Sequence, residues 1–179
     1  MSGHSKWSQI KHKKALTDAR KSKEFAKLAK QITVAAREKG PDPASNPSLR
    51  AAVEKARSFN MPSDNIERAI KRATSKDENA LEEVLFEAYG PGGSAILIAG
   101  ITDNKNRTTQ EIKHLLSENG AKLASPGSAK FLFQKTEDGW QPIANITVDE
   151  KTKEALSKIF EALDENDDIN DIYTNADFT

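Results

Sequence analysis

Positive charge and a single large aromatic ring are concentrated in the first fourteen residues of the chain. Lysine side chains attract phosphate and an indole ring can stack on a base, so this combination is typical of segments that bind nucleic acid. No carboxylate occurs before Asp18. A solvated basic tail without a dedicated partner is the alternative interpretation. The residues expected to make the contacts are Lys6, Trp7, Lys11, His12, Lys13 and Lys14. Packing of Trp7 within its own domain is the alternative to stacking on a base.

Charge is divided unevenly along the chain, although the formal net charge is zero. Residues 1–76 contain 18 Lys and Arg against 7 Asp and Glu, a net charge of +11, whereas residues 77–179 contain 9 against 20, a net charge of −11. This asymmetry predicts one part that binds a polyanion and another that stays away from it. Docking of the two oppositely charged parts against each other is the alternative.

Several kinds of chemistry are excluded by what the sequence lacks. Cysteine is absent, which rules out disulfides, cysteine-ligated zinc and thiol catalysis. The three histidines, His4, His12 and His114, do not have metal-ligand spacing, and neither a nucleophile elbow nor a Ser-His-acid grouping occurs. We therefore expect no enzymatic activity, no metal, no cofactor and no small-molecule substrate.

The sequence also carries no signal for a membrane. No apolar run approaches the roughly 18–20 residues that a membrane span needs. The charged N-terminus is not followed by an apolar core or a small-residue cleavage site, so it does not look like a secretory signal, although a lysine-rich start can imitate an organelle-targeting peptide. We expect a cytoplasmic protein with no membrane partner.

A long helix over residues 15–39 is predicted to position the first basic stripe. Its apolar residues recur at the spacing of a helical turn, and Gly40 and Pro41 end it. The apolar stripe comprises Phe25, Leu28, Ala29, Ile32, Ala35 and Ala36. The far side carries five cations with few acids between them, which favours a binding stripe over an ordinary solvated face. These cations are Arg20, Lys23, Lys27, Lys30 and Arg37.

Two shorter helices follow and complete a small helical bundle. Asn46 and Pro47 predict the start of the second helix, which runs to about Ser58. The third is predicted to be capped by Asn60 or Ser63. Its apolar stripe is Ile66, Ala69, Ile70 and Ala73, and its outward cations are Arg68, Lys71 and Arg72.

Beyond a polar boundary at residues 74–79, the apolar pattern changes from helical to that of strands. From residue 95 onward the predicted order is strand, helix, strand, strand, helix, strand, which is the ferredoxin-like split β-α-β plan, with residues 81–89 as an extra strand. The strands are residues 95–101, 128–135, 140–147 and 169–173, and the helices are residues 108–118 and one that begins after Asp149. The fold class is therefore α+β, with a helical domain at 1–76 and an acidic domain at 77–179.

Two loops of the second domain could contact phosphate. Gly90-Pro91-Gly92-Gly93 is glycine-rich but lacks the Lys-Ser/Thr of a nucleotide loop, so a tight turn between strands is favoured. The loop at residues 102–108 joins a strand to a helix and carries Lys105 and Arg107, which suit a phosphate contact. Capping of the helix by Asp103 or Asn104 is the structural alternative.

Six motifs in order along the chain resemble the YebC/PmpR family of probable transcriptional regulators. The resemblance covers nearly the whole chain. The motifs are Gly3-His4-Ser5-Lys6-Trp7, Ile10-Lys11-His12-Lys13-Lys14, Asn60-Met61-Pro62 with Asp64-Asn65-Ile66-Glu67-Arg68-Ala69-Ile70, Tyr89-Gly90-Pro91-Gly92-Gly93, Thr102-Asp103-Asn104-Lys105-Asn106-Arg107-Thr108 and Ile172-Tyr173-Thr174-Asn175.

The resemblance implies a cytoplasmic, non-enzymatic protein that binds nucleic acid. Bacterial members are described as DNA-binding transcriptional regulators, whereas mitochondrial relatives look like translational activators at the ribosome, and bacterial members have also been described as factors that relieve stalled translation. The family does not decide between DNA and RNA. From another class, a protein-protein or small-ligand module without a nucleic-acid role stays open.

One departure from the family pattern concerns the second domain. Members usually carry a third domain between the strands that match residues 128–135 and 140–147, whereas only residues 136–139 separate them here. The chain therefore looks like a short form of the family. The two-residue turn that remains is predicted to close the hairpin.

Overall fold

A computed structural model describes Trp7, residues 17–76 and residues 80–179. The chain forms two compact units. One comprises Leu16–Glu82 and is called the helical unit; the other comprises Glu83–Thr179 together with Trp7 and is called the α+β unit. The placement of Trp7 differs from the expected division at residue 76, because its side chain packs with residues far along the sequence.

The first helix, α1 (Asp18–Lys39), has the cap signals that its sequence contains. The side chain of Thr17 accepts a hydrogen bond from the amide of Arg20, which satisfies one free donor of the first turn. Gly40 ends the helix with a φ of 101°, a backbone conformation that favours glycine, and its amide donates to the carbonyl of Ala36. The predicted helix is confirmed, with its start three residues later.

Helices α2 (Pro47–Ser58) and α3 (Ser63–Arg72) complete the helical unit. Asn46 caps α2 as predicted, with Pro47 in the first turn. The predicted cap of α3 is wrong: Pro62 precedes the helix without a side-chain hydrogen bond, because Asn60 instead occupies a left-handed turn with a φ of 62°. The apolar stripes of the three helices form one core, in which the buried members are Leu28, Ile32, Ala35, Ala36, Leu49, Val53, Ala56, Ile66 and Ala69.

A four-stranded sheet lies at the centre of the α+β unit. Its strands are β1 (Glu82–Tyr89), β2 (Ala95–Thr102), β3 (Lys122–Ala124) and β7 (Ile169–Thr174), in the order β3-β1-β2-β7. The pairs β1 with β3 and β2 with β7 are antiparallel. A 3-10 turn at Pro91–Gly93 joins β1 to β2, so the interpretation of the glycine-rich loop as an inter-strand turn is confirmed.

Each face of the sheet is covered by different elements, since successive side chains of a strand point to opposite faces. Helices α4 (Lys105–Glu118) and α5 (Glu150–Asp164) cover one face, where their stripes pack on Phe86, Ile96 and Ile98. The hairpin segment covers the other face, where Ala129 and Phe133 pack on Leu97 and Tyr173. Two apolar layers therefore enclose the sheet.

The hairpin consists of β4 (Phe133–Thr136) and β5 (Gly139–Pro142), and it forms a separate two-stranded sheet. A 3-10 turn at Lys130–Leu132 precedes β4, and a short parallel pair, β6 (Ile146–Thr147) with β8 (Ala176–Asp177), lies outside the central sheet. The hairpin itself is confirmed, but its predicted pairing within the main sheet is not observed. Strand β1, predicted as an extra strand, instead occupies a central position.

The predicted α+β class, with N-terminal helices followed by a β-α-β region, is confirmed. Helix α4 begins at Lys105 and not near residue 108, and Asp149 caps α5 as predicted, with its carboxylate accepting from the amide of Thr152 at 2.8 Å. No helix in the described part of the chain is long and apolar enough to cross a membrane.

Candidate nucleic-acid interface

The outer face of α3 carries three of the predicted cations. Residues of a helix are separated by about 100°, so Arg68, Lys71 and Arg72 lie within an arc of roughly 100°. All three are exposed, whereas Ile66 and Ala69 on the opposite side are buried. We call Arg68, Lys71 and Arg72 the α3 face. Its side chains reach solvent and can meet a phosphate backbone.

The favourable interaction of cations with a helix end explains only two of the three cations on the α3 face. Lys71 and Arg72 lie in the last turn, where cations interact favourably with the partial negative charge of the helix end. Arg68 lies a turn earlier and donates from Nη2 to Oδ1 of Asn65 at 2.9 Å. This bond orients the guanidinium along the surface without neutralising it, because an amide carries no charge.

The predicted cationic stripe of α1 is interrupted. Lys27 is only 4% exposed, so its prediction as a surface contact is wrong. Thr33 and Val34 are also buried, and the hydroxyl of Thr33 donates to the carbonyl of Ala69 at 2.8 Å. Since α1 is buried on more than one side, a pattern with one apolar face underestimates its burial. Lys23 is exposed, and the half-buried cations are Arg20, Lys30 and Arg37.

Trp7 does not offer a stacking surface. Its side chain is 3% exposed and packs edge-on against Phe160, with ring centroids 5.9 Å apart. Phe160 in turn contacts Phe178 at 6.0 Å. The predicted contact of Trp7 with a base is therefore wrong in this structure, because the indole is part of the core of the α+β unit. Its Nε1 is buried with no hydrogen-bond partner among the described residues.

The remaining predicted contacts of the N-terminal segment lie outside the described residues and stay predictions from the sequence. They are Lys6, Lys11, His12, Lys13 and Lys14.

The loop between β2 and α4 holds its arginine in a charge network. Asn104 caps α4 by accepting from the amide of Arg107 at 3.1 Å. The guanidinium donates to Asp103 at 2.8 Å and to buried Asp168 at 3.0 Å, and both hydrogen bonds raise the pKa of Arg107. Arg107 therefore has a structural role in this unit, whereas Lys105 is exposed at the start of the helix.

Asp168 is a buried acid that sequence reasoning missed. Its Oδ2 also accepts from the hydroxyl of Thr108 at 2.9 Å, and its backbone carbonyl accepts from the amide of Ile101 at 2.9 Å. The same carbonyl lies where a Cβ at Gly100 would be, which explains the glycine at the irregularity of β2. The acidic loop before β7 therefore anchors the helix that carries Arg107.

Glu87 is a second buried acid that was not predicted. Its carboxylate accepts from the backbone amides of Gly127, Ala129 and Lys130 at 2.5, 3.0 and 2.6 Å. Burial alone would raise the pKa of Glu87, but the three amides and the charge of Lys130 lower it below its ordinary value. A carboxylate at an inward position of β1 breaks the apolar alternation, and this was the available signal.

In the described part of the chain, no group of three or more His, Asp or Glu side chains is arranged to hold a metal ion. The exposed cations form the feature with the clearest chemistry, because their surface potential suits an anionic polymer.

Comparison with known proteins agrees with the sequence and the fold. Residues 5–76 match the model of the TACO1/YebC protein N-terminal domain, and residues 81–138 match the model of the TACO1/YebC second and third domain. The second match ends at the turn between β4 and β5.

Three bacterial relatives illustrate the similarity. A protein of Hydrogenobaculum sp. is 47% identical over 98% of this chain and 71% of its own length, and one of Petrotoga mobilis is 49% identical over 97% and 70%. A protein of Thermotoga petrophila is 55% identical over 75% of this chain and 54% of its own length. All three are named probable transcriptional regulatory proteins, and the chain spans between about half and seven-tenths of their lengths.

A solved structure has the same fold. The crystal structure of a conserved hypothetical protein from Aquifex aeolicus superimposes with a TM-score of 0.85 at 33% identity, over 97% of both chains. With two family models matched in order and relatives close to half identical, the chain belongs to the TACO1/YebC family.

Proposed function

We propose that this protein is a nucleic-acid-binding regulator, in the first place a DNA-binding transcriptional regulator, and that the α3 face contacts the phosphate backbone. The observation that carries the proposal is the exposure of Arg68, Lys71 and Arg72 on one side of α3. The names of the relatives, probable transcriptional regulatory proteins, support the regulatory role. We place the protein in the cytoplasm and assign it no catalytic step.

The interaction would be electrostatic. Each cation that neutralises a phosphate releases a condensed counterion, so the affinity falls as salt rises. Such contacts position the protein on a nucleic acid without reading its sequence. Exposed Lys23 on α1 and Lys105 on α4 are candidates for further contacts, together with the basic N-terminal segment.

The test compares two triple variants that remove equal charge. Arg68→Gln, Lys71→Gln and Arg72→Gln are combined in one protein, and Lys113→Gln, Lys151→Gln and Lys158→Gln, all exposed on α4 and α5, in the control. Binding to duplex DNA is measured between about 50 and 200 mM salt, over which phosphate-dominated affinities fall steeply. We expect the slope of log K against log salt to become less negative by about three for the α3 variant and to stay unchanged for the control. Equal slopes for the two variants would overturn the proposal.

An RNA-bound role at the ribosome is the second candidate, because a surface of exposed cations does not distinguish RNA from DNA. Sedimentation of the protein with ribosomes from a lysate separates the two candidates. Retention after DNase treatment and loss after RNase treatment would favour translation, whereas the reverse pattern would favour transcription. If neither nucleic acid binds with salt dependence, a protein-protein module is the better explanation.

A further inference from the structure

Phe131 is the aromatic side chain that the fold leaves open to solvent. The sequence contains eleven aromatic residues, and the structure describes all of them. Phe131 is 66% exposed, and each of the other ten is buried or half-buried. The ring face that Trp7 was predicted to supply is therefore available at Phe131.

The backbone around Phe131 is fixed by hydrogen bonds. The amide of Lys130 donates to the carboxylate of Glu87 at 2.6 Å. The carbonyl of Leu132 accepts from the amide of Ile143 at 2.9 Å, which ties the turn to the end of the hairpin. Since both neighbours of Phe131 are held, the fold fixes the backbone from which its ring projects. A ligand would have to order only the side-chain torsions.

A second large apolar side chain, Ile143, is exposed at the end of the hairpin. Ile143 is 65% exposed, and its amide bonds to Leu132, the residue after Phe131. Single exposed apolar side chains are common and need no explanation. Ile143 is therefore an aliphatic comparison for Phe131 at nearly the same exposure.

Two lysines carry positive charge on the hairpin and on the turn that precedes it. The ammonium groups of Lys130 and Lys135 lie 5.2 and 5.9 Å from the centroid of the Trp140 ring, so both gather over the same part of the hairpin. Residues 119–136 contain three lysines and no Asp or Glu, although they belong to the acidic part of the chain. We call Lys130, Phe131 and Lys135 the hairpin surface.

We propose that the hairpin surface binds an unstacked base of a single-stranded nucleic acid. Phe131 stacks on the base, and Lys130 and Lys135 contact the adjoining phosphates. This combination of an aromatic ring with cations is how proteins hold single strands, whereas the bases of a duplex stay stacked and out of reach of such a ring. The proposal rests on the proposed function and adds the form of the nucleic acid.

The test uses the full chain, two variants of Phe131 and one control variant of Ile143. Phe131→Ala removes the ring, Phe131→Trp keeps a stacking face, and Ile143→Ala removes the equally exposed aliphatic neighbour. The probes are 12-nucleotide oligouridylate, oligothymidylate and an abasic oligomer with the same phosphate backbone. Thermal unfolding of each variant checks that the fold is unchanged, which we expect because the substituted side chains are exposed.

We expect Phe131→Ala to weaken binding of a base-containing probe by about 5- to 100-fold, the usual effect of losing one stacking contact. Phe131→Trp should restore the affinity, and Ile143→Ala should change it by less than about twofold. None of the three variants should change the salt dependence or the binding of the abasic oligomer, because no charge is removed. Preference for uridylate or thymidylate identifies the RNA or DNA source.

Three results would overturn the proposal. Binding by Phe131→Ala equal to wild type would exclude stacking. Equal losses for Phe131→Ala and Ile143→Ala, with no rescue by Phe131→Trp, would indicate an apolar protein contact. If the wild type binds no nucleic acid at all, the proposed function fails together with the stacking proposal. If the wild type binds but Phe131→Ala binds equally well, only the stacking proposal fails.

Discussion

Arg68 in the helical unit and Arg107 in the α+β unit carry the same guanidinium in different surroundings. Arg68 hydrogen-bonds to the neutral amide of Asn65, whereas Arg107 contacts the carboxylates of Asp103 and Asp168. The charge of Arg68 therefore stays available to an anionic ligand, whereas the charge of Arg107 is neutralised within its own unit. An exposed arginine therefore indicates an anion-binding surface only where the unit around it leaves its charge uncompensated.

Each unit also contains a buried polar side chain that joins separate elements, and Asn46 and Glu87 differ in charge. Asn46, which is fully buried, donates to the carbonyls of Ala35 and Gly40 at 2.8 and 2.9 Å and accepts from the amide of Leu49 at 3.0 Å. Glu87 makes three hydrogen bonds as well, but as a charged acceptor. A neutral junction is insensitive to pH, whereas a buried carboxylate is not.

The assignment of Trp7 to the α+β unit predicts the largest effect on stability. Trp7→Ala should lower the free energy of unfolding by about 3–5 kcal/mol, since it removes a large buried side chain from the core. The measurement is denaturant unfolding followed by circular dichroism. Trp140→Phe, at a half-buried position, is the control and should cost much less. An unchanged midpoint for Trp7→Ala would show that the indole is not part of this core.

The junction of α1 and α2 provides a matched test in the helical unit. Asn46→Ala should cost about 2–3 kcal/mol, because it removes an N-cap and takes a side-chain donor from one buried and one half-buried carbonyl. Asn46→Ser, which retains a capping oxygen, should cost less. The loss should be the same at pH 7 and pH 3 in urea unfolding. A loss of less than about 0.5 kcal/mol would mean that water replaces the side chain.

The effect of Glu87→Gln on stability should depend on pH, unlike that of Asn46→Ala. The substitution should cost about 2 kcal/mol at pH 7, because hydrogen bonds to a charged acceptor are stronger than those to an amide. The folded-state pKa of Glu87 is lowered, so its contribution is present above the unfolded pKa of about 4.3 and is lost as pH falls through the folded pKa. The stability gap between wild type and variant should therefore narrow below pH 4. A gap that persists to pH 3 would contradict the charged state.

The elements with regular patterns could be predicted from the sequence. Asn46 with Pro47 marked the start of α2, and Asp149 marked that of α5, because capping depends on adjacent residues. Leu156, Ile159, Phe160 and Leu163 recur in α5 at the spacing of a helical turn, and all four are fully buried. Strand β3 has three residues, too few for a period to appear.

The candidate site was harder to predict, because it depends on contacts between distant residues. The burial of Lys27 and Trp7 follows from packing that local periodicity does not contain. Asp168 captures Arg107 across 61 positions of the sequence. Phe131 appeared to be an ordinary strand residue until the turn at Lys130–Leu132 placed it in solvent.

Single substitutions of Arg68 and Arg107 separate an arginine that is free to contact phosphate from one that is neutralised within its unit, although the expected effect is the smallest in energy. Arg68→Gln and Arg107→Gln remove one charge each, and affinity for duplex DNA and for structured RNA is measured across a salt series. We predict that Arg68→Gln weakens binding about 10-fold at low salt and makes the slope of log K against log salt less negative by about one. Arg107→Gln should change the affinity by less than about twofold. Equal losses in the two variants, or a larger loss for Arg107→Gln, would contradict the assignment of Arg68, and not Arg107, to the phosphate contact.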